Sequence, residues 1–184
     1  MKRNNLLGLL AIKQFCSFVL AKMTIDHYDK RILAELQANG RISNQELADR
    51  IGLSPSPCLR RVRALEERRI VAGYRALLNA RALGLDLIAF ISIAMDRHTP
   101  ERFANFDAAV ATWPEVLECS LITGRDADYQ LKVLVRDMDA YQDLLLRKIT
   151  RIEGVTGVHS SFVLRQIVER TALPLDSIRT ETRQ

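Results

Sequence analysis

RISNQELADRIGLSPSPCLRRVR, residues 41–63, decides the fold. Ser43 and Glu46 stand three apart, the spacing of a reciprocal capping box, so a helix is expected over 44–51. Gly52 ends it, because glycine takes the left-handed conformation a helix stop needs. Leu53 anchors the turn. Ser54-Pro55-Ser56-Pro57 then opens another helix, with proline in the first turn, where its missing N–H costs nothing. Leu59, Val62 and Leu65 recur every three residues and are expected to face inward. Arg60, Arg61, Arg63 and Ala64 take the opposite face, with Ser54 and Ser56 at its tip.

Upstream, Asp26 can cap a helix over 28–39. Ile32, Leu33 and Leu36 give its apolar stripe, and Gly40 stops it. Three helices at these spacings form a helix-turn-helix, in which the second braces and the third enters a DNA major groove. Candidates for base-edge contacts are Ser56, Pro57 and either Arg60 or Arg61, with Ser54 and Arg63 completing the contact face. Asn44, at the start of the bracing helix, is a candidate phosphate ligand. Arginines on a solvated helix face are common. The capping box, glycine stop, Ser-Pro start and apolar spacing together favour DNA binding. The run 70–79, IVAGYRALLN, is expected to form a short strand pair or wing, and 79–84 a linker.

The charge distribution agrees. The 184-residue chain has net charge +5; residues 23–84 hold 11 Lys and Arg against 7 Asp and Glu, and residues 85–184 hold 12 against 15. A polyanion partner therefore fits the front of the chain. Cys16, Cys58 and Cys119 are odd in number and far apart, which fits a reducing, cytoplasmic compartment and no disulfide framework. His27, His98 and His159 are scattered. No metal cluster, phosphate loop or nucleophile elbow is visible, so no metal, cofactor or catalytic residue is expected. Only Asp126 and Asp128 resemble a paired-carboxylate site, which leaves an enzyme as the weak rival. An architectural protein that wraps DNA with little sequence preference is the second rival.

Residues 1–22, MKRNNLLGLLAIKQFCSFVLAK, have a basic start and an apolar stretch that superficially suggests a signal peptide. Lys13 and Gln14 interrupt the run, and neither half reaches the ~20 apolar residues a bilayer span needs. Met23 directly precedes the first helix pattern. The expectation is a disordered or loosely amphipathic extension, or an overlong start, and no membrane partner.

The second half alternates strands and helices. Residues 87–95, LIAFISIAM, form a continuous apolar run and a buried strand. Pro100 opens a helix over 100–113 with Phe103, Phe106, Ala109 and Val110 on one side. Strands follow at 116–124 and 128–135, the second alternating Tyr129, Leu131, Val133 and Val135, with 124–128 as the hairpin loop. A helix over 140–152 opens after Asp137-Met138-Asp139, and Gly154 to Gly157 lead into a last strand at 158–169. The order βαββαβ predicts a ferredoxin-like two-layer sandwich, so the fold class is α+β: an N-terminal helix-turn-helix, winged-helix-like, plus that sandwich. Expected boundaries are 1–22 extension, 23–78 DNA-binding domain, 79–86 linker, 87–172 sandwich and 173–184 tail. The sheet face without helices needs cover, most simply a second subunit.

The stretches 29–67, 70–79, 117–133 (LECSLITGRDADYQLKV) and 135–141 (VRDMDAY) resemble the leucine-responsive/asparagine-regulator (Lrp/AsnC) family of transcription regulators, and the resemblance spans about Ile25 to Leu175. It implies a helix-turn-helix joined to a ferredoxin-like domain that binds a small effector, usually an amino acid. It also implies double-stranded DNA as partner, and dimers through the sheet that assemble into tetramers or octamers. The effector loop it implies is Thr123, Gly124, Arg125, Asp126, Asp128 and Tyr129, with Leu121, Met138, Phe162, Val163 and Leu164 as neighbouring positions. Aspartate and backbone amides suit the ammonium and carboxylate of an amino acid, and the apolar positions suit its side chain. Between Gly124 and Tyr129 the chain carries four residues where the family more usually has three. Leucine as effector therefore does not carry over.

Overall fold

The computed structural model describes residues 25–124 and 126–178. Two units separate within it: one runs to Ala76 and takes up the chain again from Arg170, and the other is Leu77–Glu169. The extension 1–22 and Arg125 lie outside the described residues.

In the first unit α1 is His27–Ala38, α2 Asn44–Ile51 and α3 Pro55–Glu67. Asp26 caps α1 as expected, accepting from Asp29 N at 2.9 Å, and the Asp29 carboxylate accepts from Asp26 N at 3.4 Å. The full capping box therefore sits here and not at Ser43. Ser43 Oγ does accept from Glu46 N at 3.2 Å. The Glu46 carboxylate, however, turns forward to Arg50 at 2.7 Å, and Arg50 also holds Glu35 at 2.9 Å. A charged donor outcompetes the neutral Ser43 amide for that carboxylate. Arg31 donates to the carbonyls of Ile51 (2.8 Å) and Arg50 (2.7 Å), clamping α1 to the end of α2. Gly52 follows with φ 75°, the left-handed stop the sequence predicts.

Ile32, Leu33, Leu47, Ala48, Ile51, Cys58 and Leu65 form the core of this unit. The inward face of α3 is thus Cys58, Val62 and Leu65; Leu59, expected inside, is 38% exposed. A strict spacing of three drifts about 60° per step around an α-helix, whereas steps of four and three stay on one face. The expected wing is also absent: residues 70–79 carry no strand. Instead Ile70 N and Val71 N both donate to Leu65 O, at 2.9 and 3.2 Å, and the two side chains pack on the helical core. Tyr74 lies over Gly40 and donates its hydroxyl to Glu66 at 2.9 Å.

In the second unit β1 is Leu87–Met95, α4 Pro100–Val110, β2 Val116–Leu121, β3 Tyr129–Val135, α5 Met138–Asp143 and β4 Val155–Phe162. The sheet is antiparallel in the order β2-β3-β1-β4. This is the predicted ferredoxin-like arrangement. Ile91 pairs with Leu131, Ala89 with Val133 and Ile93 with Tyr129. Their side chains meet Phe106, Val110, Tyr141, Leu144 and Ile149 in one core. β1 is buried on that face only; Phe90, on the other, is exposed.

Four elements differ from expectation: α4 and β2 each end three residues early, at Val110 and Leu121, and the last helix and strand are also altered. The single helix at 140–152 is α5, then a π turn at Leu144–Lys148 and a 3-10 turn at Ile149–Arg151. β4 begins three residues early and ends at Phe162, so 163–169 lie outside it. Gly157 belongs to the strand because it pairs with Ala94, whose Cβ would lie 3.3 Å from any Cβ at 157.

Candidate nucleic-acid interface and effector loop

The start of α3 is polar and open. Ser54 is its N-cap but makes no side-chain cap bond, and Ser54 and Ser56 are exposed. Two prolines leave Ser56 as the sole N–H donor among the first three helical positions, so hydroxyls carry most of the polar capacity there. Pro57 is half-buried. Arg60 and Arg63 are exposed, and among the described residues neither has a hydrogen-bond or ion-pair partner.

Arg61 behaves differently. Expected on the outward face, it turns inward, with its guanidinium 2.7 Å from the Asp29 carboxylate and 2.8 Å from that of Asp26. It also sits over the Tyr28 ring, 5.4 Å from the centroid. Burial would lower the Arg61 pKa and raise that of Asp26. The Asp29 amide and then Arg61 outweigh burial at Asp26, whose carboxyl lies below its ordinary value, and the two carboxylates outweigh it at Arg61, whose guanidinium lies above its own. Asn44 is also tied inward: Nδ2 donates to Pro55 O at 3.0 Å, bracing the start of α2 against the first turn of α3, and Oδ1 is buried without a partner.

The candidate effector residues fall into two groups. Leu121, Thr123, Gly124 and Asp126 are exposed at the β2–β3 hairpin. Asp128 is occupied: its carboxylate accepts from Met95 N at 2.8 Å and faces His98 Nε2 at 2.7 Å. Tyr129 is a core residue. Its ring stacks on Phe106 at 4.2 Å and its hydroxyl donates to Asp107 at 2.8 Å; burial, reinforced by that carboxylate, pushes its pKa well up. Met138, Phe162, Val163 and Leu164 lie elsewhere. Phe162 is level with Ala89 and Val133, four rungs from Tyr129, or about 13 Å at strand rise. It packs edge-on to Tyr141 at 4.9 Å, Val163 N donates to Ile88 O, and Leu164 is 97% exposed. One chain does not bring the two groups together.

Residues 25–72 match the model of a winged helix-turn-helix DNA-binding domain, and residues 88–173 that of the Lrp/AsnC ligand binding domain. The leucine-responsive regulatory protein of Salmonella typhimurium is 44% identical over 149 residues, covering 81% of this chain and 90% of that one. The chain belongs to the Lrp/AsnC family. The protein of the same name from Rhizobium meliloti is 40% identical, covering 81% and 95%. Among solved structures, a Neisseria meningitidis transcriptional regulator in complex with L-Met shares 44% identity and a TM-score of 0.79, covering 83% of this chain and 98% of its own. An AsnC family transcriptional regulator of Agrobacterium tumefaciens gives 35% and 0.80, covering 84% and 100%.

As an Lrp/AsnC member the protein is a DNA-binding transcriptional regulator with a small-molecule domain. Sequence reasoning missed His98, Arg31 and Asp29. His98 lies 30 residues from Asp128 and Arg31 about 20 from the carbonyls it clamps, and no local pattern announces either pairing. For Arg61 a signal existed: Cys58, Val62 and Leu65 place it beside the buried stripe.

Proposed function

We propose that the exposed tip of α3 reads DNA through Ser54, Ser56, Pro57, Arg60 and Arg63, and that an amino acid bound at the sheet unit alters this binding. The carrying observation is that Arg60 and Arg63 project beside two open hydroxyls with no partner of their own among the described residues. A guanidinium fork so placed can pair with a guanine edge or a phosphate. Asn44 supports this surface by bracing the first turn of α3, and at the start of α2 it presents the helix amides to a phosphate.

The working boundaries are 23–78 for DNA binding, 79–86 for the linker and 87–172 for the effector domain. The L-Met complex of the Neisseria relative supports an amino-acid effector. Because the hairpin group and the Met138–Leu164 group stand apart in one chain, a site using both needs a second subunit. The open sheet face, with Phe90 and Ile88, supports a homodimer. The protein acts by binding: the relatives it matches are transcriptional regulators. A regulator of this kind works where DNA is, in the cytoplasm; among the described residues no helix is long and apolar enough to cross a membrane.

Fluorescence anisotropy on the DNA upstream of its own coding region tests the reading. Affinity that falls steeply with salt and changes with an amino acid is expected. Half-sites should repeat at about one DNA turn, ~10 bp, or multiples. Binding indifferent to both sequence and salt would overturn it, and long phased protection would favour the architectural rival.

A further inference from the structure

The chain returns to its DNA-binding unit. Beyond β4 the segment from Arg170 rejoins the first unit, and its contacts fall on one face of α1. Gln37 Oε1 accepts from Leu173 N at 2.6 Å and Gln37 Nε2 donates to Leu173 O at 3.2 Å, so one side-chain amide satisfies both main-chain groups of Leu173 as a neighbouring strand would. Two turns earlier on α1, Lys30 Nζ meets the Asp176 carboxylate at 2.9 Å. Leu175 packs against the helical core, in a 3-10 turn spanning Leu175–Ser177. The exposed ion pair contributes little by itself. The apolar anchor and the paired amide define the register.

We infer that residues 173–178 are a strap that docks on α1 of the same chain and gives the sheet unit a second connection to the helix-turn-helix. The forward connection leaves after Ala76 and leads into β1; the return leaves β4 at Phe162 and reaches α1 at Leu173. A ligand favouring one state of the sheet unit then biases the helix-turn-helix through both connections, and loss of the strap uncouples the return path. An effector acts only through such unequal affinity for alternative states. The coupling part of the inference rests on the proposed DNA and amino-acid responses; the docking part does not.

The docking is tested by a short bismaleimide on the full chain carrying Lys30→Cys and Asp176→Cys, with Cys16→Ser and Cys119→Ser. Cys58 can remain, since it is fully buried and burial pushes its thiol pKa up, which suppresses the reactive thiolate. A monomer-sized cross-linked product is expected. A cross-linked dimer would assign the strap to a second copy, and no product would remove it; either overturns the inference.

For coupling, a chain ending at Ala172 is compared with the parent for DNA affinity with and without L-methionine and the other nineteen amino acids. Gln37→Leu in the full chain serves as the milder variant should the truncation fail to fold. The effector-dependent change in affinity should shrink by about fivefold or more. An unchanged ratio overturns the coupling. A parent that binds no DNA, or ignores every amino acid, overturns the proposed function instead, and the cross-link still decides the strap.

Discussion

Arg61 of α3 holds Asp29 of α1 at 2.7 Å, joining the recognition helix to the capping box that starts the first helix. Arg61 retains 28% of its side-chain exposure and Asp29 12%. Arg61→Ala leaves a mostly buried carboxylate without its partner, so a stability loss of about 1–2 kcal/mol in the DNA-binding unit is expected. Arg61 is not free to neutralise a phosphate in this arrangement. The slope of log affinity against log salt should therefore stay near the parental value in Arg61→Ala, while Arg60→Ala or Arg63→Ala lowers it by about one if that residue contacts phosphate. Titrations at four salt concentrations separate the two; a reduced slope for Arg61→Ala would return it to the DNA face.

The same network sets an acid limit. Burial raises the Asp26 carboxyl, but the Asp29 amide and Arg61 outweigh it and hold it below the usual carboxylate value. A depressed folded pKa contributes stability that is fully present above the unfolded value and is lost as pH falls through the folded one. Protection factors of the α1 and α3 amides, which discount the slower intrinsic exchange in acid, should therefore fall on acidification below about pH 4. In Asp26→Asn, which keeps an N-cap oxygen but no charge, this acid dependence should be weaker.

Much of this was legible beforehand, and the failures share a cause. Periodicity fixed the alternation of Tyr129, Leu131, Val133 and Val135, and local chemistry fixed Asp26 and Gly52, because each depends on neighbours within a turn or a strand. Arg61 and Asp128 went differently because their partners, Asp29 and His98, are 32 and 30 residues away in sequence. Where two acceptors or donors compete, the winner depends on packing: Glu46 had Ser43 N and Arg50 in reach and took the charged group. The wing failed because Ile70 and Val71 gain more by closing the helical core through Leu65 O than by pairing as strands. The effector residues shared a family pattern but not a location in one chain.

Tyr129 was expected in the effector loop and lies in the core. Tyr129→Phe removes one hydroxyl from Asp107, itself exposed and able to turn to water, so it should cost about 1 kcal/mol or less and leave any amino-acid response intact. Tyr129→Ala removes the ring that stacks on Phe106 and should cost about 3–5 kcal/mol. Denaturant melts of the two variants check this. A Tyr129→Phe protein that is stable but deaf to effector would place the hydroxyl in the ligand site.

Asp128 and His98 give a complementary case. Asp128→Ala leaves Met95 N without its acceptor and frees His98, so the hairpin should loosen. His98→Ala removes only the mostly exposed partner. Faster exchange at Met95 N is expected in Asp128→Ala and little change in His98→Ala. Equal acceleration in both would mean that His98, and not the backbone bond, positions the hairpin.

Two glycines separate conformational strain from crowding. Gly52 has φ 75° with open space around a would-be Cβ, so Gly52→Ala meets only the left-handed penalty, about 1 kcal/mol. Gly154 has φ 96°, and its Cβ would lie 2.8 Å from Asp96 Oδ1, 3.1 Å from Arg102 Cδ and 3.2 Å from Met95 Cε. Those neighbours are not free: Arg102 bridges Asp96 and Glu153, and Asp96 N donates to Gly154 O at 2.7 Å. Gly154→Ala should therefore cost about 2–3 kcal/mol, adding displacement of the Asp96–Arg102 pair to the backbone penalty. Chemical denaturation with a probe in each unit checks both the order and the location. Gly52→Ala should lower the helix-turn-helix transition and Gly154→Ala the sheet transition. Equal losses would mean that the Asp96–Arg102 pair gives way without cost.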